Sequence, residues 1–211
     1  MLQAILLAVE VAVLFIAIPL LFYFRVLPNQ PIPFLLLTFL LALFFLRRDP
    51  SFDRHHLWRF SGVRAGLKPM LIRAAVLCTV IGLGVWLFLP DHLFSFVRRA
   101  PVFWAVVMVL YPLVSVYPQE VLFRAFFFHR YRRLFGQGMA TVLASAALFG
   151  FVHIVFGHWI SILLSAAGGF LFARTYFHSG SLALACIEHA IYGNFIFTIG
   201  LGEFFFHGTR R

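Results

Sequence analysis

Long apolar runs follow one another along almost the whole chain, separated by short polar connections. A helix needs about 20 apolar residues to cross the hydrocarbon core of a bilayer. Seven runs approach or exceed this length: 3–24, 32–46, 71–89, 102–128, 139–157, 159–177 and 181–200. The second is short and the fourth contains Pro112 and Pro118, so a count of six or eight crossings is also compatible with the pattern. The pattern predicts an all-α, polytopic transmembrane helix bundle of about seven spans.

Composition supports a membrane protein, since 63% of the 211 residues are apolar and only 11% are charged. Soluble domains average about 45–50% apolar and about 25% charged residues. Run 3–24 lacks the basic start and the small-residue cleavage site of a signal peptide, so we expect a retained span. We find no internal repeat and no linker long enough to divide domains, and therefore predict a single integral membrane domain over 1–211.

The basic residues indicate how the chain sits in the membrane. Seventeen Lys and Arg against seven acidic residues give a formal net charge of +10. With seven spans, ten basic residues fall in loops on the N-terminal side: Arg47, Arg48, Arg54, Arg59, Arg64, Lys68, Arg130, Arg132, Arg133 and Arg174. Five fall on the opposite side: Arg25, Arg98, Arg99, Arg210 and Arg211. The positive-inside rule then predicts a cytoplasmic N-terminus, in the cytoplasmic (inner) membrane.

The basic residues also predict which molecules this protein contacts. Basic loops at a membrane surface attract anionic headgroups, so we expect membrane lipids as partners. No nucleic-acid partner is expected, because no soluble basic domain exists to carry a contact surface. The stretch 47–68 mixes basic and aromatic residues, and both an interfacial segment and a solvated loop fit it.

Ionisable residues inside apolar runs are candidates for function, because a charge at mid-bilayer costs about 2.5–3.5 kcal/mol on insertion scales. Glu120 and Arg124 are four residues apart, so they share a helix face and can pair. The remaining candidates lie in or at the ends of other runs: Glu10, His153, His158, Glu188, His189 and Asn194. Each of these residues also has an alternative, purely structural role, as part of an ion pair or a hydrogen bond between helices.

Several protease chemistries are absent from the sequence. It has no His-Glu-x-x-His string for zinc, its aspartates all lie outside the runs, and no serine stands in a Gly-x-Ser-x-Gly turn. Glutamate and histidine remain. Around one cavity they could activate water, and they could equally form the proton relay of a transporter.

Three short motifs occur in a fixed order: Gln119-Glu120-Val121-Leu122-Phe123-Arg124, then Phe149 to His153, then His189 onwards. This order resembles the CAAX protease and bacteriocin-processing family, also called the ABI family of intramembrane proteases. Its motifs are Glu-Glu-x-x-x-Arg, Phe-x-x-x-His and His-x-x-x-Asn. The resemblance covers about 100–202 and predicts a catalytic core there.

The resemblance implies an intramembrane endopeptidase that hydrolyses a peptide bond in a membrane-bound or lipidated substrate, of CAAX or bacteriocin/peptide type. It implies that Glu120 pairs with Arg124, that His153 helps to orient water and that His189 supports the oxyanion. Such a site is expected where the fourth, fifth and seventh runs meet. The small residues 166–169 would let the sixth run pack closely beside it.

Two positions depart from the family motifs. Gln119 stands where the first glutamate is expected, and a neutral amide cannot be a general base. Gly193 stands where the asparagine is expected, and Asn194, one residue later, points about 140° away from His189 on an ideal helix. A local π-bulge would restore the alignment. Three explanations stay open: Glu120 is the base, Glu188 supplies the carboxylate, or the chain is a non-catalytic relative.

Cofactor use and the class of function are also open at the level of the sequence. We expect no cofactor, although His153, His189 and a carboxylate would make a three-ligand zinc site. A proton-coupled transporter would use Glu10, Glu120 and Glu188, but it predicts internal repeats. An inactive membrane-binding or immunity scaffold is favoured by Gln119 and Gly193.

Overall fold

The computed structural model describes residues 1–28, 30–60 and 62–205. This part of the chain is 86% helical and contains no strand. Seven of its helices are long and apolar enough to cross a membrane: α1 Leu2–Tyr23, α2 Pro31–Arg48, α3 Val63–Phe88, α4 Pro101–Arg130, α5 Met139–Phe156, α6 Trp159–Ser179 and α7 Leu182–Ile199. The predicted all-α bundle of seven spans is confirmed.

The ends of the helices alternate between two sides of the bundle. The N-terminal side holds the α2–α3, α4–α5 and α6–α7 connections. Polar contacts join its elements, among them Arg130 to Glu10 at 2.7 Å, His129 to Asp49 at 2.8 Å, and Ser181 Oγ to the carbonyl of Arg59 at 2.8 Å. The other side holds the short helices Pro90–His92, Ser95–Arg99 and Leu201–Phe205. There His92 lies 2.5 Å from Glu203.

Helix α4 is continuous, although two prolines interrupt its hydrogen-bonding pattern. Pro112 and Pro118 have no N–H to donate, and a proline inside a helix removes one backbone hydrogen bond. The chain accommodates them with two wider π-helical segments, Pro112–Val116 and Val121–Phe126. Such segments often lie at functional sites. In the first motif, Gln119 and Glu120 lie between these two segments, and Val121 to Arg124 lie within the second.

Helices α5 and α6 approach closely through small residues. A Cβ built on Gly150 of α5 would lie 2.6 Å from the Cβ of Ala166, and one on Gly169 of α6 would lie 2.9 Å from the ring of Phe149. A side chain at position 150 would therefore require a shift of α6, and one at position 169 would require a shift of the Phe149 side chain. The small-residue patch brings α6 against α5, as the sequence predicts.

Helix α3 begins earlier than its apolar run. It starts at Val63, so Arg64 and Lys68 lie in its first two turns and not in the preceding loop. Both side chains are exposed, which long basic side chains achieve near a membrane surface while their backbone stays helical. The linker before α3 packs back onto the bundle, where Phe52 and Leu57 are buried.

Candidate active site

A partly open cavity of about 1300 Å³ lies inside the bundle, between α1, α2 and α4–α7. Its walls are mainly apolar side chains such as Phe15, Phe22 and Val106. Gln119 from α4, His153 from α5 and His189 from α7 all reach its surface. All three motifs therefore contribute residues to the wall of the same space.

Gln119 is the polar residue of the first motif that lines this cavity. Its side chain is half-buried, and its Nε2 donates a hydrogen bond to Ser115 Oγ at 2.7 Å. Ser115 is one turn earlier on the same helix and also lines the cavity. With the amide nitrogen held in this way, Oε1 is the atom that remains to accept a hydrogen bond from a water molecule.

His153 stands where the regular part of α5 ends. Its Nδ1 lies 2.6 Å from the carbonyl oxygen of Phe149. A carbonyl oxygen can only accept, so Nδ1 carries the proton of the neutral ring and Nε2 is left with a lone pair. This hydrogen bond fixes the tautomer that a general base needs.

Glu120 and Arg124 are buried completely and do not border the cavity. Arg124 Nε lies 3.1 Å from Glu120 Oε2, but within the described residues neither atom has a well-aligned hydrogen bond. The contact is therefore an ion pair. Arg124 also donates to Ser145 Oγ at 2.8 Å and lies 5.1 Å from the ring centre of Phe149. The pair is electrically neutral, which reduces its cost in an apolar interior.

His189 connects this ion pair to the cavity. Its Nδ1 lies 2.8 Å from Glu120 Oε1, and its Nε2 lies 3.1 Å from the hydroxyl of Tyr111. The ring stacks on Phe172 with 4.4 Å between centres and 13° between planes. Both nitrogens and one face of the imidazole are therefore held in place.

Glu188 is not brought to the cavity. Consecutive residues of a helix point about 100° apart, and Glu188 faces α3 and α6. There it contacts Arg73 Nη2 at 2.6 Å and accepts a hydrogen bond from Thr175 Oγ1 at 2.5 Å. This geometry gives no support to the explanation in which Glu188 supplies the carboxylate to the site.

Asn194 and His158 also lie off the cavity wall. Asn194 Nδ2 donates to the carbonyl of Met108 at 3.2 Å, so it joins α7 to α4. Helix α7 is regular, and no wider turn rotates Asn194 towards His189. His158 caps α6, where its Nδ1 accepts from the backbone N–H of Ile160 at 3.2 Å.

The acids considered for a proton relay lie in separate places. Each is paired with its own arginine: Glu10 with Arg130, Glu120 with Arg124 and Glu188 with Arg73. Three separately neutralised carboxylates do not form a continuous path for protons. The arrangement gives no support to the transporter interpretation.

Two residues of this region, Arg73 and Tyr111, were not predicted from the sequence as part of the site. Arg73 is a single arginine inside an apolar run, and its cost in the membrane could have prompted a search for an acidic partner. Tyr111 carried no comparable signal, because an aromatic residue is common in a span. Its contact with His189 depends on how α4 and α7 pack.

The residues present do not fit the three-ligand zinc site. Among the described residues, no group of three or more His, Cys, Asp or Glu side chains could hold a metal ion. His189 has both ring nitrogens engaged, by Glu120 and Tyr111. A metal at His189 would have to displace one of these contacts.

Comparison with known proteins agrees with the three motifs. Residues 101–196, just under half of the chain, match the family described as Type II CAAX prenyl endopeptidase Rce1-like. No curated protein and no solved structure matches the chain. Seven apolar helices together with this membrane protease family identify an integral membrane protein. The resemblance predicted from the sequence is confirmed, because residues 101–196, which carry Gln119, His153 and His189, match the Rce1-like family of type II CAAX prenyl endopeptidases.

Proposed function

We propose that this protein is an intramembrane endopeptidase that hydrolyses a peptide bond in a membrane-bound or lipidated protein or peptide. The observation that carries the proposal is the meeting of Gln119, His153 and His189, from three helices, at one apolar cavity. Polar groups that converge in a largely apolar pocket are typical of a site that orients a substrate.

The reaction begins with a water molecule held between Gln119 Oε1 and His153 Nε2. His153 Nε2 takes one proton as the water oxygen attacks the carbonyl carbon, and the π electrons of the carbonyl move to its oxygen. The tetrahedral oxyanion then collapses, and the C–N bond breaks. His153 returns the proton to the leaving nitrogen, which yields an amine and a carboxylic acid. A positioned base of this kind contributes roughly 10²–10⁴-fold to the rate.

Glu120 has a positioning role in this scheme. It is buried away from the cavity, and its two oxygens contact Arg124 and His189. A carboxylate in this place holds His189 in one orientation and one tautomer. We therefore assign the proton transfer to His153, and not to the glutamate that the sequence offered as one explanation.

The cavity walls support a lipidated substrate. A prenyl or acyl chain could occupy the apolar space between α1, α2 and α4 while the attached peptide reaches His153. The family name specifies a prenyl endopeptidase, which agrees with this chemistry.

A second function is favoured by one observation. The cavity presents an amide at Gln119, and Glu120 is already neutralised by Arg124. A protein that binds a lipidated peptide without cutting it would need no more than this. Binding and cleavage therefore have to be measured separately.

The decisive experiment compares new peptide termini by mass spectrometry. Membranes would carry the wild type, His153→Ala or, as a matched control, His178→Ala, whose side chain is exposed at the end of α6. We expect termini that appear with the wild type and the control and are lost with His153→Ala. Identical termini in all three, with each protein folded, would contradict the peptidase.

A binding measurement separates the second function. A prenylated peptide with a photoreactive group would be crosslinked to the wild type in vesicles. Crosslinking to cavity residues without any cleavage would identify a binding protein, whereas crosslinking together with cleavage would support the peptidase.

A further inference from the structure

Gly193 stands four residues after His189, where the family motif has asparagine, and the structure explains its small size. A Cβ built on Gly193 would overlap the ring and the hydroxyl of Tyr111. Any side chain at this position would have to displace Tyr111 from α7. The glycine therefore makes room for one particular aromatic residue of α4.

Tyr111 fills the space that Gly193 leaves. Its hydroxyl lies 3.1 Å from His189 Nε2, and its ring packs edge-on against Phe197 at 5.2 Å between centres. Tyr111 also lines the cavity beside Gly193 and His189. It is the last residue before the wider segment that starts at Pro112, and it contacts α7 through His189 and Phe197.

We propose that Tyr111 is a catalytic residue, whose hydroxyl donates a hydrogen bond to the oxyanion from the place where the family motif has an asparagine amide. This inference rests on the proposed peptidase function. It accounts for the glycine at position 193, because Tyr111 occupies the space that an asparagine side chain there would need.

The hydrogen positions allow this role. His189 Nδ1 faces the carboxylate of Glu120, which accepts, so in the neutral ring Nδ1 carries the proton and Nε2 has the lone pair. In the resting site the hydroxyl of Tyr111 therefore donates to Nε2. A hydroxyl hydrogen rotates to suit its surroundings, and an oxyanion is a stronger acceptor than a neutral imidazole. Tyr111 can turn its hydrogen to the oxyanion, and no proton is transferred in this movement.

The test uses Tyr111→Phe, which keeps the ring and removes the hydroxyl. The enzyme would be reconstituted in phosphatidylethanolamine and phosphatidylglycerol vesicles with the peptide whose cleavage the comparison of termini identifies. We expect kcat to fall about 10²-fold while KM changes little, because one oxyanion donor contributes roughly 10²–10³-fold to kcat. An unchanged kcat would overturn the assignment.

Tyr117→Phe is the matched control. Tyr117 is on the same helix, is half-buried and does not border the cavity, and its hydroxyl has no hydrogen-bond partner among the described residues. We expect wild-type kcat from this variant. An equal loss of kcat in both variants would mean that hydroxyls of α4 act through the fold, and it would overturn the specific role of Tyr111.

A stability measurement tests, independently of activity, whether a side chain at position 193 and the side chain of Tyr111 need the same space. Gly193→Ala should lower the thermal unfolding temperature of the wild type, but not that of a Tyr111→Ala background, where the space is free. Equal losses in the two backgrounds would overturn the pairing of Tyr111 with Gly193. Absence of cleavage by the wild type would reject the proposed function itself, whereas cleavage that survives Tyr111→Phe would reject only the inference.

Discussion

Two pairs of neighbouring residues in this protein point in different directions and serve different purposes. Gln119 faces the cavity, while Glu120 is buried against Arg124 and His189. His189 reaches the cavity, while Glu188 is held by Arg73 on the side of α3. The rotation of about 100° between consecutive helical residues is the cause. An acidic residue next to a cavity-lining residue in the sequence therefore does not have to place its carboxylate in the cavity.

Replacement of Gln119 tests this distinction. Gln119→Glu would place a carboxylate on the cavity wall, where it can share the proton of the attacking water with His153. We expect the cleavage rate to increase by about 10-fold or more, since a positioned base contributes roughly 10²–10⁴-fold. Steady-state kinetics on the peptide found by the comparison of termini would measure this.

Gln119→Ala is the comparison for that variant. It removes the acceptor for water without adding a base, so its rate should fall below that of the wild type. A faster Gln119→Ala would show that the amide obstructs the site, and it would contradict the water-holding role of Gln119.

At the scale of elements, the α5–α6 contact determines where His153 lies. Gly150 precedes His153 by three residues, and a Cβ there would lie 2.6 Å from Ala166 Cβ. We expect Gly150→Ala to lower the free energy of unfolding by about 1–3 kcal/mol, as overpacking of a close contact does. Thermal and denaturant unfolding in detergent would measure the loss.

Gly84 offers the matched control on α3. Within the described residues, no atom lies within 4 Å of a Cβ built on Gly84, so the added methyl group meets open space. Gly84→Ala should leave stability unchanged or raise it, because alanine favours a helix by about 1 kcal/mol over glycine. Equal losses in the two variants would contradict the packing argument.

The contact between the ends of α2 and α4 should depend on pH. Hydrogen bonds from His129 and Ser51 lower the pKa of Asp49 well below its usual range. A lowered pKa in the folded state adds stability above the unfolded pKa of about 3.9, and this contribution disappears as pH falls through the folded pKa. We expect wild type to be more stable than Asp49→Asn at pH 7 and the difference to shrink below pH 4. If the unfolding temperatures of wild type and Asp49→Asn differed by the same amount at every pH in this range, the result would contradict a stabilising contact of Asp49 with His129.

For the whole molecule, the alternating ends predict which connections share a side of the membrane. The two cysteines, Cys78 and Cys186, would be replaced by alanine, and single cysteines placed at Gln137 and Asp91, both exposed at opposite ends of the bundle. With a cytoplasmic N-terminus, an impermeant maleimide should label Asp91→Cys in intact cells. It should label Gln137→Cys only after permeabilisation. The reverse pattern would contradict the predicted orientation.

The sequence contains enough information for the fold, but for only part of the site. Seven apolar runs predict seven helices because membrane thickness sets the length of each span. The spacing of Glu120 and Arg124 predicts their contact because both lie on one helix. The contacts of Glu188 with Arg73 and of His189 with Tyr111 join different helices, and no spacing within one run specifies them. The early start of α3 was missed because Arg64 and Lys68 are polar, although a helix end at the membrane surface tolerates them.

The apolar walls of the cavity have a consequence for enzyme kinetics. A substrate that reaches a cavity of about 1300 Å³ from the lipid phase is sampled at its mole fraction in the bilayer, and not at its concentration in the bulk solution. Addition of inert lipid at constant total peptide should therefore slow cleavage in proportion to the dilution, and the apparent KM should be constant only when expressed per lipid. A KM that follows bulk concentration would instead indicate that substrates arrive from water.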